Sequence, residues 1–407
     1  MSQSVGQQTA RANQALIFVS LSVLLATSTW FSGTAATLSL KQAWSLNDAQ
    51  SAWLTISVQL GFITGTFLYA IFNLADVFNA RKVFFASALM AALFNAGFAF
   101  LSQELMVAVA FRFLTGVTLA GVYPVGMKIV ASWFQSGLGW RLGVMVGALT
   151  LGTATPFLMQ ALGTDFEWRW LVASASIASA AGAFIMIGLV KDGPFLPKKA
   201  VFDVRMMFKV FRHPPFRNTA FGYFGHMWEL YAFWSLISFY LSASLQSYPD
   251  VQELLAWMVF SVIGIGTLGC VLGGWISRTI GERRVALVSL LISAAFCGLS
   301  GFIFSWSPLI LMPLLLVWGF FVIADSPQFS ALAARYAPPE YTGTALTIQN
   351  GIGFAITVIS IQLLPWIAVV VDWQWAFLFL MPGPLLGAYF MFRLKRESDE
   401  ARHPLAG

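Results

Sequence analysis

Charge is what this sequence has least of. Only 10% of its 407 residues are Asp, Glu, Lys or Arg, while 58% are hydrophobic; a soluble chain carries about 25% charged residues. With a mean hydropathy of +0.76, no water-facing fold of this size can hide so much apolar surface. A soluble multidomain protein is excluded, and the chain must live in lipid. Cysteine is almost as scarce. Cys270 and Cys297 both lie in apolar runs, which excludes a disulfide framework and a Cys-rich zinc site. With three histidines in all, the spacing His226-x-x-Glu229 lacks the further ligands a metal centre needs. There is no P-loop, no His-Glu-x-x-His and no Gly-x-Ser-x-Gly, so an ATP-driven pump or a motif-borne enzyme is not expected, nor is any cofactor. The net charge of +6 would suit nucleic acid, but the basic residues are distributed as membrane topology demands, and no nucleic-acid partner is expected.

What the sequence has in abundance is long apolar runs. A bilayer core of roughly 30 Å takes about 20 apolar residues per helical crossing. That ruler divides the chain into twelve spans, at 15 to 37, 50 to 72, 82 to 103, 105 to 130, 140 to 163, 168 to 190, 217 to 244, 252 to 276, 284 to 306, 308 to 333, 342 to 370 and 373 to 394. Strands of a β-barrel would be half as long and would alternate in polarity, so the fold class is an all-α membrane protein. The first span is too long for a signal peptide and is read as uncleaved. Of the 23 basic residues, 20 fall in segments on one side, Lys41 and Arg169 fall on the other, and Arg112 lies within a span. Positive charge stays inside, which puts both termini in the cytoplasm and the protein in the inner (plasma) membrane. Trp168, Trp170, Trp306, Trp366, Trp373 and Trp375 gather at the outer ends, where indole favours the headgroup layer.

The expected organisation is a tail at 1–14, a six-span bundle at 15–190, a basic linker at 191–216, a second bundle at 217–394 and a tail at 395–407. In the linker, FDVRMMFKVFR alternates apolar and basic side chains at helical spacing; this suits a helix lying on the anionic leaflet and equally a solvated tether. The two bundles look like copies. FNLADVFNARK at 72–82 matches GWISRTIGERR at 274–284, GVTLAGVYP ending at Pro124 matches GFFVIADSP ending at Pro327, and Trp168-Arg169-Trp170 matches Trp373-Gln374-Trp375, at offsets of 202, 203 and 205 residues. A nearly constant offset across three junctions is the mark of an internal repeat.

These features together resemble the major facilitator superfamily, over roughly residues 12 to 396. Its loop signature, Gly-x-Leu-Ala-Asp-Arg-x-Gly-Arg-Arg, is kept as Leu74, Ala75, Asp76 and Arg81 in the first copy and as Gly274, Gly281, Arg283 and Arg284 in the second. Phe72 and Asn79 replace the first copy's glycines, and Arg278 replaces the second aspartate. Arg112-Phe-Leu-Thr-Gly116 resembles the family's Arg-x-x-x-Gly element. The resemblance implies two pseudo-symmetric six-helix bundles that rock around a midplane site, gating loops that include Asp76, Arg81, Gly281, Arg283 and Arg284, and a cavity lined by spans one, four, seven and ten. Gly147-Ala-Leu-Thr-Leu-Gly152 and Gln349-Asn350-Gly351-Ile-Gly353 loosely resemble the glycine-rich helices of nitrate, nitrite and cyanate carriers. Spans two and eight, however, lack the arginines that hold the anion in nitrate carriers.

Ionisable side chains inside hydrocarbon cost several kcal/mol, so each is a functional candidate. They fall on spans four, seven and ten: Arg112, Lys128, His226, Glu229 and Asp325. His226 and Glu229 stand three apart on one helical face, about 14 to 18 Å from the cytoplasmic end, and with Asp325 they form the expected proton relay. The bland reading has Glu229 only tying its helix to a neighbour. Arg112 could clamp an anionic solute through its planar fork or bond helix-end carbonyls as a structural residue. Trp30, Tyr123, Trp228, Tyr231 and Trp234, with Gln349 and Asn350, are the other candidate substrate contacts. The expected function is a secondary active transporter, working as a monomer, that moves a small organic or inorganic anion by proton-coupled alternating access, with sodium as the other candidate ion. Export of an apolar or cationic compound is the rival reading, and a membrane-embedded enzyme or assembly scaffold on the same fold is a third.

Overall fold

The computed structural model describes residues 2–72, 74–134, 138–163, 167–195, 210–337 and 342–394. Among them, ten helical stretches are long and apolar enough to cross a membrane: α1 (Thr9–Ala43), α2 (Gln50–Ile71), α3 (Ala80–Leu101), α4 (Leu105–Ala131), α5 (Gly139–Leu162), α6 (Trp168–Leu189), α8 (Leu255–Ile280), α9 (Glu282–Ile303), α10 (Pro308–Tyr336) and the stretch Ala345–Arg393. The last holds two crossings, α11 (345–371) and α12 (373–393), because Asp372 breaks it with φ 61° and ψ 163°. That left-handed geometry is costly for a residue with a Cβ and serves here as a hairpin. One crossing is not apolar enough for this set. It is α7, Pro214–Ser244, which carries His226 and Glu229 and is buried around most of its circumference. The total is twelve, as the sequence predicts. An even number of crossings leaves both ends of the described chain on one membrane face, called here the tail face; the other is the far face.

Local chemistry sets the helix ends. Asn47 Oδ1 accepts from the Gln50 backbone N–H (2.8 Å) while Gln50 Oε1 accepts from Asn47 N (3.0 Å), a reciprocal cap at the start of α2. Asn79 caps α3 by accepting from Arg81 N and Lys82 N, and Gly281, at φ 87°, turns the chain between α8 and α9. Proline opens α7 and α10, where its missing N–H costs nothing.

Packing repeats between the halves. In the first, α1 lies against α5 and α6, α3 against α6, and α2 against α4; in the second, α7 lies against α11 and α12, α9 against α12, and α8 against α10. Each contact of one bundle has its counterpart in the other, so these are two pseudo-symmetric six-helix bundles. They meet along two seams, α5 with α8 and α2 with α11. The first seam is close because of glycine: a Cβ on Gly143 would lie 2.8 Å from the Cys270 carbonyl oxygen.

Several of the described helices are interrupted along their length, α12 by a 3-10 turn at Phe377–Leu380. α4 divides into Leu105–Leu119 and Tyr123–Ala131, α10 into Pro308–Ala324 and Ser326–Tyr336, and α8 at Ile265. The breaks in α4 and α10 come just before Pro124 and Pro327, which cannot continue an i to i−4 ladder. Interrupted helices at depth are tolerated where they border a cavity or are buried in protein. Most of the basic linker, 196–209, including most of the proposed surface helix, and the tail 395–407 lie outside the described residues.

Candidate functional site

Between the bundles lies a narrow cavity. The first half contributes Trp30, Phe62, Tyr123, Val146 and Leu149; the second contributes Tyr223, Met227, Leu230, Tyr231, Ile323, Ser326, Ser330, Asn350 and Phe354. The helix breaks place Tyr123 and Ser326 at its wall. Trp30 packs its ring near Phe62 (4.7 Å between centroids), Phe354 (5.6 Å) and Tyr231 (5.7 Å), so the two halves touch through aromatics. None of the lining residues is charged, and the polar atoms are mostly hydroxyl, indole and carboxamide groups. Trp30 Nε1 is buried and has no partner. A wall of this kind offers hydrogen-bond donors and flat apolar faces, with no fixed charge to oppose either sign.

Toward the far face, Phe31 stacks on Tyr231 (6.3 Å, 16° between planes) and meets Trp234 edge-on (6.2 Å). These rings, with the Tyr231–Trp234 contact at 5.5 Å, close the cavity across α1 and α7. Beyond them open a crevice of about 380 Å³ lined by Thr34, Ser51, Thr55, Ser235 and Ile361 among others, and a larger one of about 990 Å³ that reaches Gln160, Trp168 and Glu253.

The buried acids do not line the cavity. Glu229 Oε1 accepts from Ser293 Oγ (2.6 Å), Trp318 Nε1 (2.8 Å) and Cys297 Sγ (3.3 Å), which sews α7 to α9 and α10 inside the second bundle. His226 Nδ1 stands 2.9 Å from Asp325 Oδ1 with both side chains almost fully buried, and His226 Nε2 has no partner. The helical wheel explains the placement. At about 100° per residue, the lining residues Tyr223, Met227, Leu230 and Tyr231 centre on one direction, from which His226 lies about 90° and Glu229 about 150° away. The three candidate proton groups are therefore neighbours in one bundle, behind the wall of the cavity. Among the described residues, no group of three or more His, Cys, Asp or Glu could hold a metal ion.

Arg112 is likewise turned inward, away from the cavity wall, in the arrangement of the structural alternative. Its guanidinium donates to Leu54 O (3.3 Å), Thr29 O (2.8 Å), Ser32 Oγ (3.3 Å), Asn95 Oδ1 (2.9 Å) and Trp30 O. A carbonyl in a helix keeps a second lone pair free, and Arg112 collects those of α1 and α2 at the core of the first bundle. Trp228 also faces elsewhere, packing on Phe379 of α12 (5.2 Å). Trp234 belongs to the closing layer above the cavity, and Gln349, buried with Oε1 unpartnered, is not part of the wall. Trp30, Tyr123, Tyr231 and Asn350 are.

At the tail face, Arg81 Nε and Nη2 reach the two Asp192 carboxylate oxygens, each at 2.9 Å, and Asn79 Nδ2 joins them. The Arg81 hydrogen bonds hold the Asp192 carboxyl below the usual carboxylate range. Asn79, where the family pattern has glycine, thus caps α3 and binds Asp192 at once. Arg283 donates to Met391 O (3.3 Å), Arg335 pairs with Glu282 (2.8 Å), Arg284 is exposed, and Asp76 lies in a short helix, Leu74–Val77.

Sequence reasoning missed Phe62, Tyr223, Ser326, Ser330 and Phe354 in the wall, and Ser293, Cys297 and Trp318 around Glu229. Only ionisable residues stand out in an apolar span by cost; serines and phenylalanines do not.

Comparison with known proteins agrees with this architecture. The family model described as Major Facilitator Superfamily matches residues 18–361 and 219–407. The chain is 31% identical over 141 residues to the probable galactarate/D-glucarate transporter GudP of Escherichia coli (strain K12), covering 34% of this chain and 31% of that protein. It is 33% identical over 123 residues to the niacin transporter NiaP of Acinetobacter baylyi (strain ATCC 33305 / BD413 / ADP1), covering 26% and 27%. The match thus spans about a third or less of each relative's length. Among solved structures, the proton:xylose symporter XylE bound to 6-bromo-6-deoxy-D-glucose superposes with a TM-score of 0.78 at 13% identity, covering 95% and 96% of the two chains. The human organic anion transporter MFSD10 superposes with a TM-score of 0.68 at 16% identity, covering 93% and 99%; both likenesses show the fold alone. The relatives are galactarate and niacin transporters, so the nitrate-carrier likeness gains no support. This chain belongs to the Major Facilitator Superfamily.

Proposed function

We propose that this member of the superfamily carries a small organic acid, bound in the central cavity between the bundles and moved by proton-coupled alternating access. The observation that carries the reading is the wall itself: indole, hydroxyl and carboxamide donors around flat aromatic faces, with no acid among the lining residues. Such a wall hydrogen-bonds a carboxyl group while Trp30, Phe62 and Phe354 cover a ring or carbon chain. An inorganic anion offers those faces nothing, and a cation finds no carboxylate there. The sequence relatives carry names that fit: niacin is an aromatic acid and glucarate a hydroxylated one.

The coupling proton resides, in this reading, on Glu229 and on the His226–Asp325 pair. These groups join α7 to α9 and α10, so their charge state changes how the second bundle packs rather than how the solute is gripped. A ligand shifts a two-state equilibrium only by its differential affinity for the states, and a proton bound behind the wall supplies such a difference. The protein works as a monomer in the inner (plasma) membrane with both tails in the cytoplasm, in keeping with the 20 basic residues on the tail side.

Purified protein in detergent, titrated with nicotinate and D-glucarate and monitored by melting temperature and tryptophan fluorescence, tests the proposal. At least one acid should stabilise the protein and quench Trp30 fluorescence, whereas nicotinamide and xylose should do neither. Stabilisation by the neutral compounds alone would reverse the assignment of solute class.

A further inference from the structure

We infer that Gln59 on α2 is a solute-contacting residue, placed between the far-face crevice and the central cavity to receive a group of the cargo that donates and accepts hydrogen bonds from adjacent atoms. It is fully buried, and neither its side-chain nitrogen nor its oxygen has a hydrogen-bond partner. Buried carboxamides are normally paired, and Asn95 in the same bundle shows the rule. Its Nδ2 donates to Val172 O and Ser176 Oγ, and its Oδ1 accepts from Ser32 and Arg112.

Position explains the exception. On α2, Ser51 and Thr55 line the crevice and Phe62 lines the cavity; with Gln59 they fall within an arc of about 80° on one helical face. Two contacts fix the levels. Above Gln59, Thr55 Oγ1 meets Thr34 Oγ1 of α1 at 2.7 Å; below it, Phe62 meets Trp30 of α1 at 4.7 Å. α7 repeats the arrangement, since Tyr231 lines the cavity and Ser235, one turn on, lines the crevice. Trp30 Nε1, Trp234 Nε1 and Ser235 Oγ are also buried without partners. Unsatisfied polar atoms therefore run from one space to the other through the layer that closes them, and Gln59 is the member that carries its donor and its acceptor on two separate atoms. A protonated carboxyl or a pair of hydroxyls complements a carboxamide through two antiparallel hydrogen bonds.

The inference rests on the proposed solute class, and its test separates the two. Gln59→Met keeps the length of the side chain and removes the orphaned atoms. Ligand-free Gln59→Met should melt a few degrees higher than the wild type, while apparent affinity for the transported acid falls about tenfold or more, the loss of both hydrogen bonds. Gln59→Cys in sealed vesicles should react with a membrane-impermeant maleimide and be protected by the transported acid, with the wild type, which carries Cys270 and Cys297, as the control for background labelling. Using nicotinate and D-glucarate in parallel shows whether a carboxyl or a hydroxyl pair is the group received. A lower melting temperature for Gln59→Met, unchanged affinity, or no labelling of Gln59→Cys overturns the role of Gln59. Failure of the wild type to bind either acid overturns the solute class instead, and melting and labelling still decide whether Gln59 stands on the passage.

Discussion

Replacing Arg112 with Lys separates a structural arginine from a solute clamp. The guanidinium serves five acceptors on α1, α2 and α3: three backbone carbonyls, Ser32 Oγ and Asn95 Oδ1. An ammonium has three donors, so at least two acceptors lose their partner in a site closed to water. Hydrogen bonds to charged groups contribute about 1.5 to 3 kcal/mol each, and the loss is therefore roughly 3 to 6 kcal/mol. That is a large share of the stability of most folded proteins. Arg112→Lys should lower the melting temperature of the detergent-purified protein by many degrees and reduce its yield, and Arg112→Leu should do so further. Solute affinity of the folded fraction should stay at the wild-type value, since the side chain does not reach the cavity wall. An Arg112→Lys protein that melts like the wild type but binds its solute tenfold more weakly would refute this reasoning and restore the clamp.

Glu229→Gln keeps the shape of the buried hub and removes its titratable proton; accumulation driven by an imposed proton gradient in liposomes should disappear while exchange of labelled solute continues, and intact gradient-driven uptake would show that the coupling proton lies elsewhere. Asp192 is held below the ordinary carboxylate range by Arg81, so its contribution is fully present above that range and is lost as pH falls through the lowered value of the folded state. The effect is small because the pair is partly exposed. The melting temperature of Asp192→Asn should lack the acid-side decline that the wild type shows below about pH 4. Gly143→Val pushes a side chain into the Cys270 carbonyl and should part α5 from α8, raising the rate at which Asn350→Cys is labelled from the tail face; an unchanged rate would mean that the seam does not govern access.

Much of the fold was legible because two signals in the sequence are physical rulers. Apolar run length gave the twelve crossings, including α7, whose polar residues take it below the hydropathy of the rest. The offset of about 203 residues between GVTLAGVYP and GFFVIADSP anticipated equivalent breaks in α4 and α10. The direction in which side chains point was less legible. Spacing put His226 and Glu229 on one face of α7 but could not say whether that face met the cavity or α9 and α10, since both neighbours are apolar in sequence. Arg112 was ambiguous for a related reason. Its partners are mostly backbone carbonyls, which every residue possesses and no pattern reveals. Cys297 gave no hint that its thiol would donate to an acid, nor Gln59 that its carboxamide would lack a partner.

The two cores are glued in opposite ways. One gathers neutral oxygens around a cation that never gives up its charge; the other gathers neutral donors around a carboxylate that can. Duplication supplied a matched pair of scaffolds, and divergence then set a guanidinium in the core of one and carboxyl groups in the core of the other. A molecule assembled from two copies of the first scaffold would keep the same outline and hold no acid at mid-depth, and under the proposed coupling a proton gradient would have nothing in it to push against.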